Sequence, residues 1–99
     1  MTTDPVPGLT LGDFEARIGE SFAIETEIGV QTLELVDAAS VPHSPRPGGG
    51  FRLEFAGPAE PRLPQSIYRF ALDNTEHDIF IVAIGYRPDG GLRYEAVFF

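Results

Sequence analysis

The sequence predicts a mainly β fold: a six-stranded antiparallel meander forming a small, partly closed β-barrel, with one short helix near the N-terminus. Three observations carry this expectation. Apolar runs at 22–28, 32–36, 51–55, 67–72, 79–84 and 94–99 have strand length and are bounded by Gly, Pro, Asn or Asp. Most alternate apolar with polar residues, so that one face meets a core and the other meets water. Arg87-Pro-Asp-Gly-Gly91 is a strong hairpin signal, because Asp-Gly accepts positive φ. At 99 residues the chain is one domain, 1–99, with room for one modest core.

Taken in order, residues 1–9 read as a flexible Pro-rich arm. Thr10 then offers an N-cap and Asp13 an acid in the first turn. Leu11, Phe14 and Ile18 fall at helical spacing and Gly19 is a stop, which predicts a helix over 11–18 with that stripe on the core. The first strand sets Phe22, Ile24, Thr26 and Ile28 against Glu25 and Glu27, and Gly29 turns the chain. The second, over 30–38, sets Leu33 and Leu35 against Thr32, Glu34 and Val36, giving a hairpin with an acidic solvent face.

Residues 40–50, rich in Pro and Gly, read as a flexible connector or as a binding loop that holds His43 and Arg46. Phe51, Leu53 and Phe55 alternate with Arg52 and Glu54 in the third strand. A Pro-punctuated connection over 57–65 leads to the fourth, where Tyr68, Phe70 and Leu72 share a face. The run 79–84 is apolar on both faces, so the helix, the far side of a closed barrel or another subunit must cover the second one. The last strand sets Tyr94, Ala96 and Phe98 against Arg93, Glu95, Val97 and Phe99.

Composition bounds the function. There is no Cys, which removes disulfides and thiol chemistry. No apolar run reaches the length of a membrane helix, about 20 residues, and the N-terminus lacks the basic and apolar regions of a signal peptide. The expected location is the cytoplasm, or a particle assembled there. The net charge of −8 is concentrated in residues 1–45, where eight acids meet the single base Arg17. Such a front half disfavours nucleic acid and anionic membrane as partners. Every base is Arg, which reads as GC-rich codon usage ahead of selection for planar, bidentate contacts.

Three stretches carry a family resemblance: Leu9-Thr-Leu-Gly-Asp-Phe-Glu15, the segment from Phe55 through Gly57-Pro-Ala-Glu-Pro to Tyr68, and Tyr94-Glu-Ala-Val-Phe98. Together they resemble DUF6916, a family of short bacterial proteins classed as a domain of unknown function. Relatives carry Gly where this chain has Ser66, which puts a tight turn before the fourth strand in question. The resemblance implies no catalytic residues. It does imply an accessory role in phage-tail-like or tail-fibre-like gene sets, and so favours structural over enzymatic roles.

Candidate chemistry is sparse. Asp73-Asn-Thr-Glu-His-Asp78 offers oxygen and nitrogen ligands but lacks calcium-loop spacing and reads as a turn. Glu25 and Glu27, with Glu34 across the hairpin, could form an acid/base pair or simply keep a strand edge soluble. Ser21, Ser40, Ser44 and Ser66 lack a nucleophile elbow. Arg52, Arg69 and Arg93 either line one outer face opposite the acidic hairpin or pair with Glu54 and Glu95. Phe80, Val97 and Phe99 are left over for a partner surface.

The expected function is therefore non-enzymatic protein–protein contact, as a homo-oligomer or an accessory subunit of a larger bacterial assembly. Neither metal nor cofactor is expected. The interface is expected at Phe80, Val97, Phe99, Arg52, Arg69, Arg93, Glu25 and Glu27. The alternative is a small-ligand pocket at the barrel mouth, walled by Tyr68, Tyr94 and the loop around His43. A metal-dependent or acid/base enzyme built on residues 73–78, or on Glu25 and Glu27, ranks behind both.

Overall fold

A computed structural model describes residues 9–46, 49–72 and 75–99. Residues 1–8 of the expected arm, Pro47 and Gly48 of the Pro/Gly loop, and Asp73 and Asn74 of the expected turn lie outside the described residues. The chain forms helix α1 (Leu11–Glu15) and strands β1 (Ser21–Thr26), β2 (Gly29–Val41), β3 (Gly50–Gly57), β4 (Ser66–Leu72), β5 (Thr75–Tyr86) and β6 (Leu92–Phe98). All six strands pair antiparallel and close a barrel in the order β1-β2-β3-β6-β5-β4.

The barrel, the strand number and the single helix are as the sequence predicts, but the strand order is not a simple meander. β3 pairs with β6 rather than β4, so β4, β5 and β6 form consecutive hairpins with β3 returned beside β6. This is a Greek key. Alternation shows which face of a strand is apolar and says nothing of which strand lies beside it. The β3–β6 pairing is favoured by diagonal ion pairs: Glu54 and Glu95 lie directly opposite each other, and Arg93 and Arg52 on the flanking positions neutralise them.

The alternating residues meet inside. Phe22, Ile24, Leu33, Leu35, Leu53, Phe55, Phe70, Ile79, Ile81 and Tyr94 are all buried. At the centre Phe55 meets Phe22 edge-on at 6.2 Å and Phe70 at 5.2 Å. Close packing reaches the backbone at Gly57, where a Cβ would stand 2.8 Å from the Leu33 side chain.

Several local expectations are corrected by bulges and ends. The helix stops at Glu15 instead of 18, because Gly19 N–H donates to Leu35 O and Leu35 N–H donates to Glu20 O. These bonds draw the chain onto β2 and leave Ile18 half exposed. Phe14 alone of its stripe is fully buried, 5.8 Å from Phe51 and 6.3 Å from Phe98, so the helix closes the barrel at the start of β3. Arg46 lies over the same two rings. Thr26 ends β1, so Glu27 and Ile28 form the turn and Ile28 is exposed rather than core.

β2 runs to Val41, beyond the expected end at 38, and contains a bulge between Leu35 and Asp37. Without that extra residue, strict alternation from Leu33 and Leu35 would point Asp37 inward. The bulge turns Asp37 out to Arg52 and Ala38 in toward the core. Past the bulge β2 continues pairing with β3 and takes up residues 40 and 41 of the expected loop. A second bulge in β5, between Ala83 and Gly85, shifts the pairing with β6.

Candidate functional site

The interior of this barrel is filled by side chains, which leaves the outside and the ends to carry function. The tyrosines expected to wall a mouth are both engaged by the 58–65 connection. Buried Tyr94 accepts a hydrogen bond from Leu63 N–H at 2.9 Å, and Tyr68 Oη donates to Pro64 O at 2.7 Å. Leu63 thereby enters the core, which the sequence did not announce, since a lone Leu between prolines has no periodicity. His43 does not join these tyrosines. Val41, two residues before it, pairs with Gly50, whereas Tyr94 pairs with Phe55 five residues further along β3.

The arginines do not form one free face. Arg52 reaches Asp37 at 3.9 Å and Glu95 at 3.5 Å, while Arg69 reaches Asp78 at 3.4 Å and Glu76 at 3.7 Å. Arg93 holds Glu54 through two hydrogen bonds of 2.9 and 3.0 Å. Cross-strand pairing with Glu95 and Glu54 therefore holds for Arg52 and Arg93, whereas Arg69 pairs with Asp78 and Glu76 instead. Glu76, His77 and Asp78 belong to β5 rather than to a turn. Among the described residues, no group of three or more His, Cys, Asp or Glu could hold a metal. Glu34 sits opposite Ser21 and Glu25 opposite Val30, so Glu34 lies about 13 Å along the strand from Glu25 and forms no carboxylate pair with it.

The Arg93 guanidinium is the main cause that holds the Glu54 carboxyl below its ordinary 4.5, with burial acting the other way. The folded state therefore binds this proton less readily than the unfolded chain does. The stabilisation is complete above the unfolded value and is lost as pH falls through the folded one. Glu54→Gln is expected to unfold at lower urea near pH 7. Its deficit against the unsubstituted chain should shrink steadily as pH falls below about 4.5. Urea midpoints measured in steps down to about pH 3 check this; a deficit independent of pH would place the pair outside the acid response.

Two surface features remain. The first is apolar. Ile67 on β4 pairs directly with Phe80 on β5, and both are exposed, at 62% and 50%. Phe80 and Val97 each sit two residues beyond the Val82–Glu95 pair on the same outward face, and Val97 and Phe99 are exposed as well. This is the second apolar face of β5. Neither the helix, which packs on β2 and β3, nor the barrel covers it.

The second feature is a cleft of about 710 Å³ between the β1–β2 turn and the start of β4, with residues 62–65 at its end. It opens where the barrel seam is thinnest, since β1 and β4 pair only at Ile24 and Phe70. Glu25 and Glu27 line it, and Ser66 stands on the facing strand.

No helix among the described residues is long and apolar enough to cross a membrane. A family model described as a domain of unknown function (DUF6916) matches residues 9–98. No curated protein and no solved structure matches the chain.

Proposed function

The chain belongs to the DUF6916 family, a domain of unknown function, and from that premise we propose that it is a non-enzymatic protein–protein contact module. The contact is made through the outer face of β4, β5 and β6, with a second copy or with a subunit of a larger assembly of the phage-tail-like kind. One observation supports this reading above the others: Ile67, Phe80 and Val97 are large apolar side chains gathered outward on three adjacent strands, and among the described residues nothing covers them. A face of this kind on a small soluble domain marks an interaction surface. The neighbouring arginines are already neutralised within the chain, so apolar burial rather than charge drives the association.

Light scattering over a concentration series tests the proposal with Phe80→Ser and Phe99→Ser. Both residues are at least half exposed, so each change is expected to cost no more than about 1 kcal/mol of stability. The unsubstituted chain is expected to be oligomeric and Phe80→Ser to be a folded monomer. Should the chain be monomeric throughout, self-association is excluded, and a heterologous partner is sought with this face as bait.

A further inference from the structure

We propose that the cleft between β1 and β4 binds an extended, basic segment of another polypeptide by strand addition. The argument starts from the ladders. β1 pairs with β2 from Ser21 to Thr26, and β4 pairs with β5 from Ser66 to Leu72, yet the two strands meet each other only at Ile24 and Phe70. On either side of that pair the facing edges diverge. Toward the β1–β2 turn they part into a cleft of about 710 Å³, within the range of about 300–1,000 Å³ that holds peptides and small ligands. A strand edge with no neighbour is a template for another strand, whose main chain supplies the missing hydrogen bonds.

Charge selects the occupant. Glu25 and Glu27 stand on the β1 side of the cleft, and among the described residues no cation lies within ion-pair distance of either. On β3, β5 and β6 the carboxylates Glu54, Glu76, Asp78 and Glu95 all have an arginine, whereas on the β1–β2 hairpin Glu25, Glu27 and Glu34 have none among the described residues. Arg62, at the end of the cleft, is the one base that lines it. An incoming strand with Lys or Arg at alternate positions would complete the carboxylates on the outward face and turn its other side chains inward, toward Thr26 and Tyr68 in the cleft lining. The site adjoins the outer-face contact at Ile67 but rests on the open strand edges and on Glu25 and Glu27, so neither proposal depends on the other.

The test uses the full chain and three labelled octapeptides: alternating Lys and Val, the same peptide N-methylated at every second residue, and alternating Glu and Val. Binding is read by fluorescence anisotropy and by backbone amide shifts in NMR. The Lys/Val peptide is expected to shift the amides of Glu25, Thr26, Ser66 and Ile67, and N-methylation to abolish this. The double variant Glu25→Gln/Glu27→Gln keeps the fold, since both side chains are exposed, and is expected to weaken the peptide about three- to tenfold. Phe80→Ser is expected to leave this binding unchanged. Shifts scattered over the acidic surface, equal binding of the N-methylated peptide, preference for the Glu/Val peptide, or no binding at all would each overturn the proposal.

Discussion

Phe55→Ala is expected to cost about 3–5 kcal/mol, a large share of the roughly 5–15 kcal/mol that holds a domain of this size together. Phe55 is completely buried on β3 and touches rings from two other strands, Phe22 of β1 and Phe70 of β4. Those two strands form the weakest seam of the barrel, joined directly by one pair. The aromatic cluster is thus what spans the seam from inside, and its removal leaves a cavity that the barrel cannot collapse to fill. The thermal midpoint should fall by roughly 15–35 °C. Phe55→Leu, which keeps most of the volume, should cost far less. Urea and thermal unfolding followed by circular dichroism check both variants, and equal losses for Ala and Leu would show that the ring contacts do not carry the effect.

Tyr94→Phe is the second large effect, and it tests how the 58–65 connection is held. The substitution keeps the ring and removes the acceptor of the Leu63 N–H, which then stays buried without a partner. A loss of about 1–3 kcal/mol is expected, together with faster amide exchange at Leu63. Tyr68→Phe provides the contrast. It deletes a hydroxyl that donates to Pro64 O, and Pro64 is exposed, so water replaces the bond and the cost should stay below about 1 kcal/mol. Equal effects of the two changes would mean that burial of Leu63 does not decide the matter. Because residues 62–65 form the end of the β1–β4 cleft, a loosened connection should also weaken any segment bound there.

Much of the barrel was legible in the sequence because a strand's period of two is a local property. Phe22, Ile24, Leu33, Leu35, Phe51, Leu53, Phe55, Tyr68, Phe70, Tyr94 and Ala96 fall on inward faces as their alternation predicts. The two-sided apolar character of β5 was equally local, and it announced that Phe80 would need an account. Glu25 and Glu27 were also visible as neighbouring acids, although Glu27 lies in the turn rather than on the strand. What could not be read was their setting, because a cleft exists only where two strands distant in sequence fail to meet.

The sequence by itself determined the strands, their apolar faces and the acidic first half, since each depends on neighbours a few residues apart. The tertiary structure alone decided the Greek-key order, the outward turn of Asp37 at the β2 bulge and the burial of Leu63. It likewise decided which arginine meets which carboxylate. Each of these depends on partners far apart along the chain: Leu63 and Tyr94 are 31 residues apart, and Glu54 and Arg93 are 39 apart. Periodicity carries no information about such pairs. They are chosen by which arrangement buries the inward apolar faces while leaving the buried polar groups with hydrogen-bond partners.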